Sequence, residues 1–436
     1  MHKRPLHVTE LVASKFVDGQ LRSMPRTLGE GIRRSLSDLG RPFWTYLAAA
    51  LFFNFGMSIF FFLYNLVLLD YGYSERFLGE ARSAYALGGI AGAIPAGILA
   101  QRFGLRKTMV MSLGMVVLLM TGLSLFVSTA PQLCLGFLGS AASTAWSICS
   151  APVVAQVTTE SNRSLGFSLN TALGIGLGVV ASLVASRLPA SFAGVLPTAT
   201  SGQLKQAALL VACGIIALGL WPASRLRLAP VPPREKNLYP HTPFLFRFLA
   251  AMAVWSLATN AFSPFFNAYC AQFLRMPLKQ IGVAFSASQL SSMVAILVTP
   301  LVIQKVGLVA GILYTQVAAA IALGCLAQTS HVSAATPVYV MYTAFLWMSE
   351  PLMFTLLMNR VVPSERSGAF SLNLLVMSLS NAVAAPIAGG SFARYGYPTV
   401  LTVTAIATLI AACLFRLLVG GDLSPKTRPE PEVLGS

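Results

Sequence analysis

Twelve runs of about twenty mostly apolar residues follow one another along this chain, each long enough to cross a lipid bilayer as a helix. Lipid offers the backbone no hydrogen-bond partner, and the α-helix is the form that satisfies amides and carbonyls within one segment. The first six runs occupy 43–69, 81–100, 108–127, 131–157, 165–185 and 204–222. A polar, proline-bearing stretch then interrupts the pattern. Six more follow at 246–271, 281–303, 306–327, 337–358, 368–390 and 398–418. Hydrophobic residues make up 56% of the 436 and charged residues 10%, against about 25% charged in soluble domains. The expected fold class is an all-α membrane protein with twelve transmembrane helices.

The formal net charge of +16 would suggest nucleic acid if it were gathered on one soluble face. Here the cations are spread between apolar runs, so the partner expected is the lipid bilayer and not a nucleic acid. With an even number of crossings, both termini share a side. Of the 30 Lys and Arg, 23 fall on that side. The other side holds seven: Arg76, Arg82, Arg187, Lys205, Arg275, Lys279 and Arg394. The positive-inside rule then places both termini in the cytoplasm of a cell (inner) membrane protein. Arg82 counts here as the edge of a loop.

Five parts are expected. Residues 1–41 form a cytoplasmic N-terminal segment. Within it Thr27-Leu28-Gly29-Glu30 reads as a capping box, and Ile32, Leu36 and Leu39 form the apolar stripe of a helix lying on the membrane face. Residues 42–222 and 244–420 are two six-helix bundles, 223–243 is a cytoplasmic linker, and 421–436 is a polar cytoplasmic tail.

The two bundles are related. Between the second and third runs stands Gly97-Ile98-Leu99-Ala100-Gln101-Arg102-Phe103-Gly104-Leu105-Arg106-Lys107-Thr108, a short basic turn between apolar helices. Gln101-Arg102-Phe103-Gly104-Leu105 recurs as Gln304-Lys305-Val306-Gly307-Leu308, 203 residues on. The segment from Ser161 through Arg163 to Asn170 recurs from Ser364 through Glu365 and Arg366 to Asn373 at the same displacement. So do Gly79, Ala81 and Ser83, as Gly282, Ala284 and Ser286. Asn65 and Asn267 match with a one-residue slip. A constant displacement across separate loops indicates six helices duplicated in the same orientation.

This plan resembles the major facilitator superfamily of transporters, over all twelve spans. The most specific residues are Gly97, Gly104, Arg106 and Lys107, at the place of the family's loop signature, with Gln101 where that signature usually has an acid. The segment Val362-Pro363-Ser364-Glu365-Arg366-Ser367-Gly368 resembles the family's loop before the eleventh helix. The fourth run, 131–157, lacks the family's arginine motif, and the fifth carries Gly174, Gly176 and Gly178 in place of the proline-bearing antiporter motif. The resemblance implies two pseudo-repeats that rock around a central site lined by the first, fourth, seventh and tenth helices.

On those four helices the candidate substrate residues are Asn54, Trp146, Trp255, Asn260, Tyr342, Trp347 and Glu350. Glu350 is the acidic residue placed deep inside a span, where a carboxylate costs roughly 2.5–3.5 kcal/mol and usually faces a wet cavity or a partner. It is expected to carry a proton or to pair with a cationic solute. No Arg or Lys is expected deep in a span, so the solute expected is a small amphipathic or cationic molecule, moved by alternating access with proton coupling. An uncoupled facilitator is the alternative. Arg102, Arg106 and Lys107, with Gly97, Gln101, Gly104, Arg163, Gln304, Lys305, Gly307, Glu365 and Arg366, are expected to form a cytoplasmic gate. Its cations would meet Glu160 or Glu365 when that side closes. A monomer is expected.

Enzymatic, metal and cofactor chemistry is not expected. His2, His7, His241 and His331 fall in tails or loops, no HExxH or GxSxG constellation occurs, and the six cysteines are isolated.

Overall fold

The structure, a computed structural model, describes residues 39–159, 163–228, 242–362 and 365–419. The expected amphipathic helix lies outside them, as do 229–241 of the linker and the chain from 420.

Twelve helices among the described residues are long and apolar enough to cross a membrane. We number them α1 (Arg41–Asp70), α2 (Glu75–Phe103), α3 (Leu105–Leu125), α4 (Thr129–Val157), α5 (Arg163–Ala185), α6 (Ser201–Leu218), α7 (Pro243–Asn260), α8 (Leu278–Val306), α9 (Leu308–Ala327), α10 (Val332–Arg360), α11 (Arg366–Tyr395) and α12 (Tyr397–Val419). Most reach past the apolar runs, because polar residues at helix ends still find partners. The start of α6 carries Lys205, whose Nζ meets Asp70 at the end of α1 at 2.8 Å. A reciprocal capping box of Thr200 and Gln203 closes the same end.

Local chemistry sets the breaks. Gly104 joins α2 to α3 and Gly307 joins α8 to α9, each at φ +81° with ψ near 160°. Only glycine occupies that region at little cost. The two residues are 203 apart, so the duplication extends to backbone conformation. The expected continuous run 246–271 is instead broken after Asn260. A 3-10 turn, Ser263–Phe265, contains Pro264, which has no amide to donate; a short helix, Phe266–Ala268, and a π turn, Tyr269–Phe273, follow.

Packing repeats as well. In the first six helices α1 packs on α5 and α6, α2 on α4, and α3 on α4 and α6. In the second six α7 packs on α11 and α12, α8 on α10, and α9 on α10 and α12. Adding six to each number of the first set gives the second. The halves meet through α2 with α11 and α5 with α8, which exchange under the same operation, and where α1 meets the Phe266–Ala268 segment. This is twofold pseudosymmetry. Because the helices alternate in direction, residues 39, 104, 159, 228, 307, 362 and 419 share one face, called the basic face below.

Candidate functional site

A cavity of about 540 Å³ lies between the halves, within the range of small-molecule sites. Asn54, Ser58, Tyr64 and Asn65 reach it from α1, Arg82 and Tyr85 from α2, Asn260 from α7, and Phe285 and Gln289 from α8. Its walls therefore mix aromatic rings with amides and hydroxyls, and include one cation.

Arg82 stands further inside a helix than the apolar run 81–100 suggests. Helix α2 begins at Glu75, so Arg82 sits two turns inside it, about 10 Å along the axis. The apolar run 81–100 misses those turns because they are polar, yet each polar group there is accommodated. Arg76 pairs with Glu80 at 3.1 Å, and Tyr397 donates to Glu75 at 3.1 Å. Arg82 has no such partner. Its Nε is buried without a hydrogen bond, its guanidinium lies 5.7 Å from the Tyr85 ring centroid, and it pairs with no described carboxylate. An unpaired charge at such a position is costly.

Toward one end of the cavity the halves are joined by pairs of bonds that the duplication relates. Asn65 Nδ2 donates to the Pro264 carbonyl at 2.8 Å, and Asn267 Nδ2 donates to the Phe62 carbonyl at 2.9 Å. Ser83 Oγ donates to the Ala382 carbonyl at 2.6 Å, and Ser286 Oγ donates to the Val179 carbonyl at 2.9 Å. Within each pair, donor and acceptor shift by the same displacement with the halves exchanged. Close helix approach makes these bonds possible. A Cβ on Gly79 would stand 2.3 Å from the Ala385 carbonyl oxygen, and one on Gly282 would stand 2.9 Å from that of Ser182. All of these residues lie toward the face opposite the basic loops.

Of the expected substrate residues, Asn54 and Asn260 line the cavity and the others do not. Trp146 is buried and stacked on Phe53, with ring centroids 4.8 Å apart. Trp255 is buried in the packing of α7. Tyr342 is buried against Phe262, with its hydroxyl unpartnered among the described residues. Trp347 is 40% exposed. Glu350 is partly buried and makes no ion pair with a described residue. Central position along a span, which the sequence gives, does not say which way a side chain faces. Arg82, Tyr64, Tyr85, Asn65 and Gln289 were missed for the complementary reason. Their signal was present in part: Arg82 stands among Gly79, Ala81 and Ser83, the small residues that recur at 282, 284 and 286.

The sequence profile of the Major Facilitator Superfamily matches residues 45–381. The chain belongs to that superfamily. Among solved structures it is similar to the nucleoside transporter NupG, at 14% identity and a TM-score of 0.70 over 87% of this chain and 99% of that one. It is similar also to a bacterial homolog of the lysosomal transporter Spinster in an inward-facing conformation, at 14% identity and 0.70 over 87% and 98%. A third likeness is to the xylose transporter XylE from E. coli in an inward-open conformation, at 14% and 0.69 over 86% and 95%. No curated protein sequence matches closely enough to narrow the family further.

The residues of the superfamily's loop signature lie at the basic face. Gln101, Arg102, Gly104, Arg106 and Lys107 line a groove there, with Gly97 further up α2. Arg106 donates to the Ser224 carbonyl. In the second half, Gln304 and Lys305 are exposed at the end of α8 and Gly307 follows them. Arg163 and Arg366 open α5 and α11, and Glu365 precedes α11. No ion pair joins Glu365 to a described cation, and Glu160 lies outside the described residues.

Proposed function

We propose that the chain moves a small polar organic solute by alternating access, holding it in the central cavity with an acceptor group of the solute on Arg82. The observation that carries this reading is the Arg82 guanidinium, unpaired among the described residues, on the wall of a cavity whose other lining residues carry no charge. A carboxylate, phosphate or other acceptor-rich group completes that site, since charge-assisted bonds to guanidinium are the strong ones. A cationic solute, expected from the sequence, would meet Arg82 as a like charge. Hydrogen bonds join the halves opposite the basic face, and the positive-inside rule puts the basic face in the cytoplasm. On this reading the conformation is the one that loads or unloads on the cytoplasmic side. The cytoplasmic gate of Arg102, Arg106 and Lys107 with Glu365 is then in its parted state.

Counterflow in proteoliposomes with labelled anionic, neutral polyhydroxyl and cationic solutes tests the reading. Exchange of an anionic or acceptor-rich solute is expected, with a drop of at least about tenfold in Arg82→Gln, the scale of one lost charged hydrogen bond. Exchange confined to cations, unchanged in Arg82→Gln, would overturn it.

Proton coupling through Glu350 belongs to the same reading. Glu350→Gln should abolish accumulation driven by a pH gradient while counterflow persists. Uncoupled facilitation is the second reading, favoured by the position of Glu350 outside the cavity lining. Wild-type counterflow that no pH gradient alters would select it.

A further inference from the structure

The groove at the basic face has a volume of about 780 Å³ and is lined by Arg102, Arg106 and Lys107 together with Phe103, Met111 and Leu228. None of the three cations pairs with a described carboxylate. The helix behind them adds to the positive field. α3 starts at Leu105, and no side chain caps it at Gly104. Its first-turn amides therefore point outward uncapped, at the positive end of the helix dipole.

A second, apolar slot of about 370 Å³ lies beside the basic groove, and Met111 lines both. The slot exists because α2 and α3 both pack on α4 and touch each other little as they leave the Gly104 turn. Its floor is small: Gly92, Ala96, Ala141, Ala142 and Ala145. Ile94, Ile98, Met115 and Leu118 around it are exposed apolar residues of membrane-facing helix surface. A cluster of cations at the membrane edge thus adjoins an apolar slot running toward the bilayer interior.

We propose that this is a binding site for one anionic phospholipid, with its phosphate on Arg102, Arg106 and Lys107 and one acyl chain in the slot between α2, α3 and α4. Free phosphate would use only the groove, and an apolar solute only the slot. Their adjacency at Met111 favours a molecule with both parts, and basic pockets between membrane helices suit anionic headgroups. The molecule carries its own control. The duplicated turn at Gly307 has the same backbone and an equally uncapped helix start. It places Val309 and Ala310 where the first half has Arg106 and Lys107, and the pocket there is about 370 Å³ with Arg360 as its cation.

Native mass spectrometry of the full chain in detergent, titrated with phosphatidylglycerol, phosphatidylcholine and glycerol phosphate, tests the proposal. One phosphatidylglycerol should be retained at least fivefold better than phosphatidylcholine, and glycerol phosphate should not compete. R106Q with K107Q should erase that preference. A91F, a membrane-facing change at the rim of the slot, should weaken phosphatidylglycerol retention with the cations intact. R106K should keep the preference, which separates charge from misfolding. Equal retention of the two lipids overturns the proposal. So do competition by glycerol phosphate and indifference to A91F, since either reduces the site to a bare phosphate contact.

Discussion

The seal and the cavity teach opposite lessons about the same duplication. At the seal the two halves still match. Ser83 and Ser286 each donate across the interface to carbonyls that correspond, and Gly79 and Gly282 each let a helix of the other half come close. In the cavity the correspondence of position survives but the chemistry does not. Arg82 and Phe285 are 203 residues apart and both face the cavity, yet one is a cation and the other a ring. The basic turns diverge in the same way, with Arg106 and Lys107 against Val309 and Ala310. Surfaces that must meet between two related halves keep the shared solution. A single asymmetric solute, or a single lipid, needs only one copy of the group that recognises it.

The largest effect should come from the divergent pair. Arg82→Gln removes the cation and should reduce counterflow at least about tenfold. Phe285→Leu keeps an apolar surface and carries no charge change, so it should cost less than Arg82→Gln. Equal losses in the two would mean that the cavity senses shape at both positions and charge at neither.

The matched pair at the seal comes next. Gly79→Ala puts a methyl against the Ala385 carbonyl oxygen, 2.3 Å from where its Cβ would sit. Gly282→Ala puts one 2.3 Å from Ser186 Cβ. Neither neighbour is the free end of a flexible side chain, so the helices must part, at a cost of about 1–3 kcal/mol. Each substitution should move the sealed-to-unsealed ratio by about tenfold. The measurement is maleimide labelling from the face opposite the basic loops, on a cysteine at Ser263 in a background without the six native cysteines. Labelling that rises in one variant alone would break the claimed equivalence of the α2–α11 and α5–α8 contacts.

How much of this was legible in the sequence follows from which physics each feature obeys. Bilayer thickness fixes a run length, so the twelve spans stand near where the apolar runs place them, and the polar first turns of α2 were lost because hydropathy registers only transfer. The turn glycines were legible because Gly104 and Gly307 occupy a region that other residues avoid. The constant displacement marks Gly79 and Ser83, and with a one-residue slip Asn65, as one half of a duplication, but not as the surface where the copies meet. That depends on facing, which a one-dimensional pattern leaves open in helices apolar all round. The same ignorance of facing put Trp146, Trp255 and Tyr342 among the candidates, and the structure buries them in packing.

The smallest predicted effect tests how far equivalence of geometry extends to energy. Asn65 and Asn267 make the same bond across the seal, at 2.8 and 2.9 Å. Their other polar atoms differ. Asn267 Oδ1 is buried without a partner, whereas no such orphan is found on Asn65. Removing Asn65 therefore loses a bond worth about 1 kcal/mol and leaves the Pro264 carbonyl, at a helix break, without that donor. Removing Asn267 loses a similar bond but also relieves a desolvated acceptor, which offsets part of the loss. Asn65→Ala should raise labelling of the cysteine at 263 by about fivefold, and Asn267→Ala by about twofold or less. The reverse order would mean that the unpartnered Asn267 oxygen is stabilised by something other than a direct bond, with a bridging water at the seal as the first thing to look for.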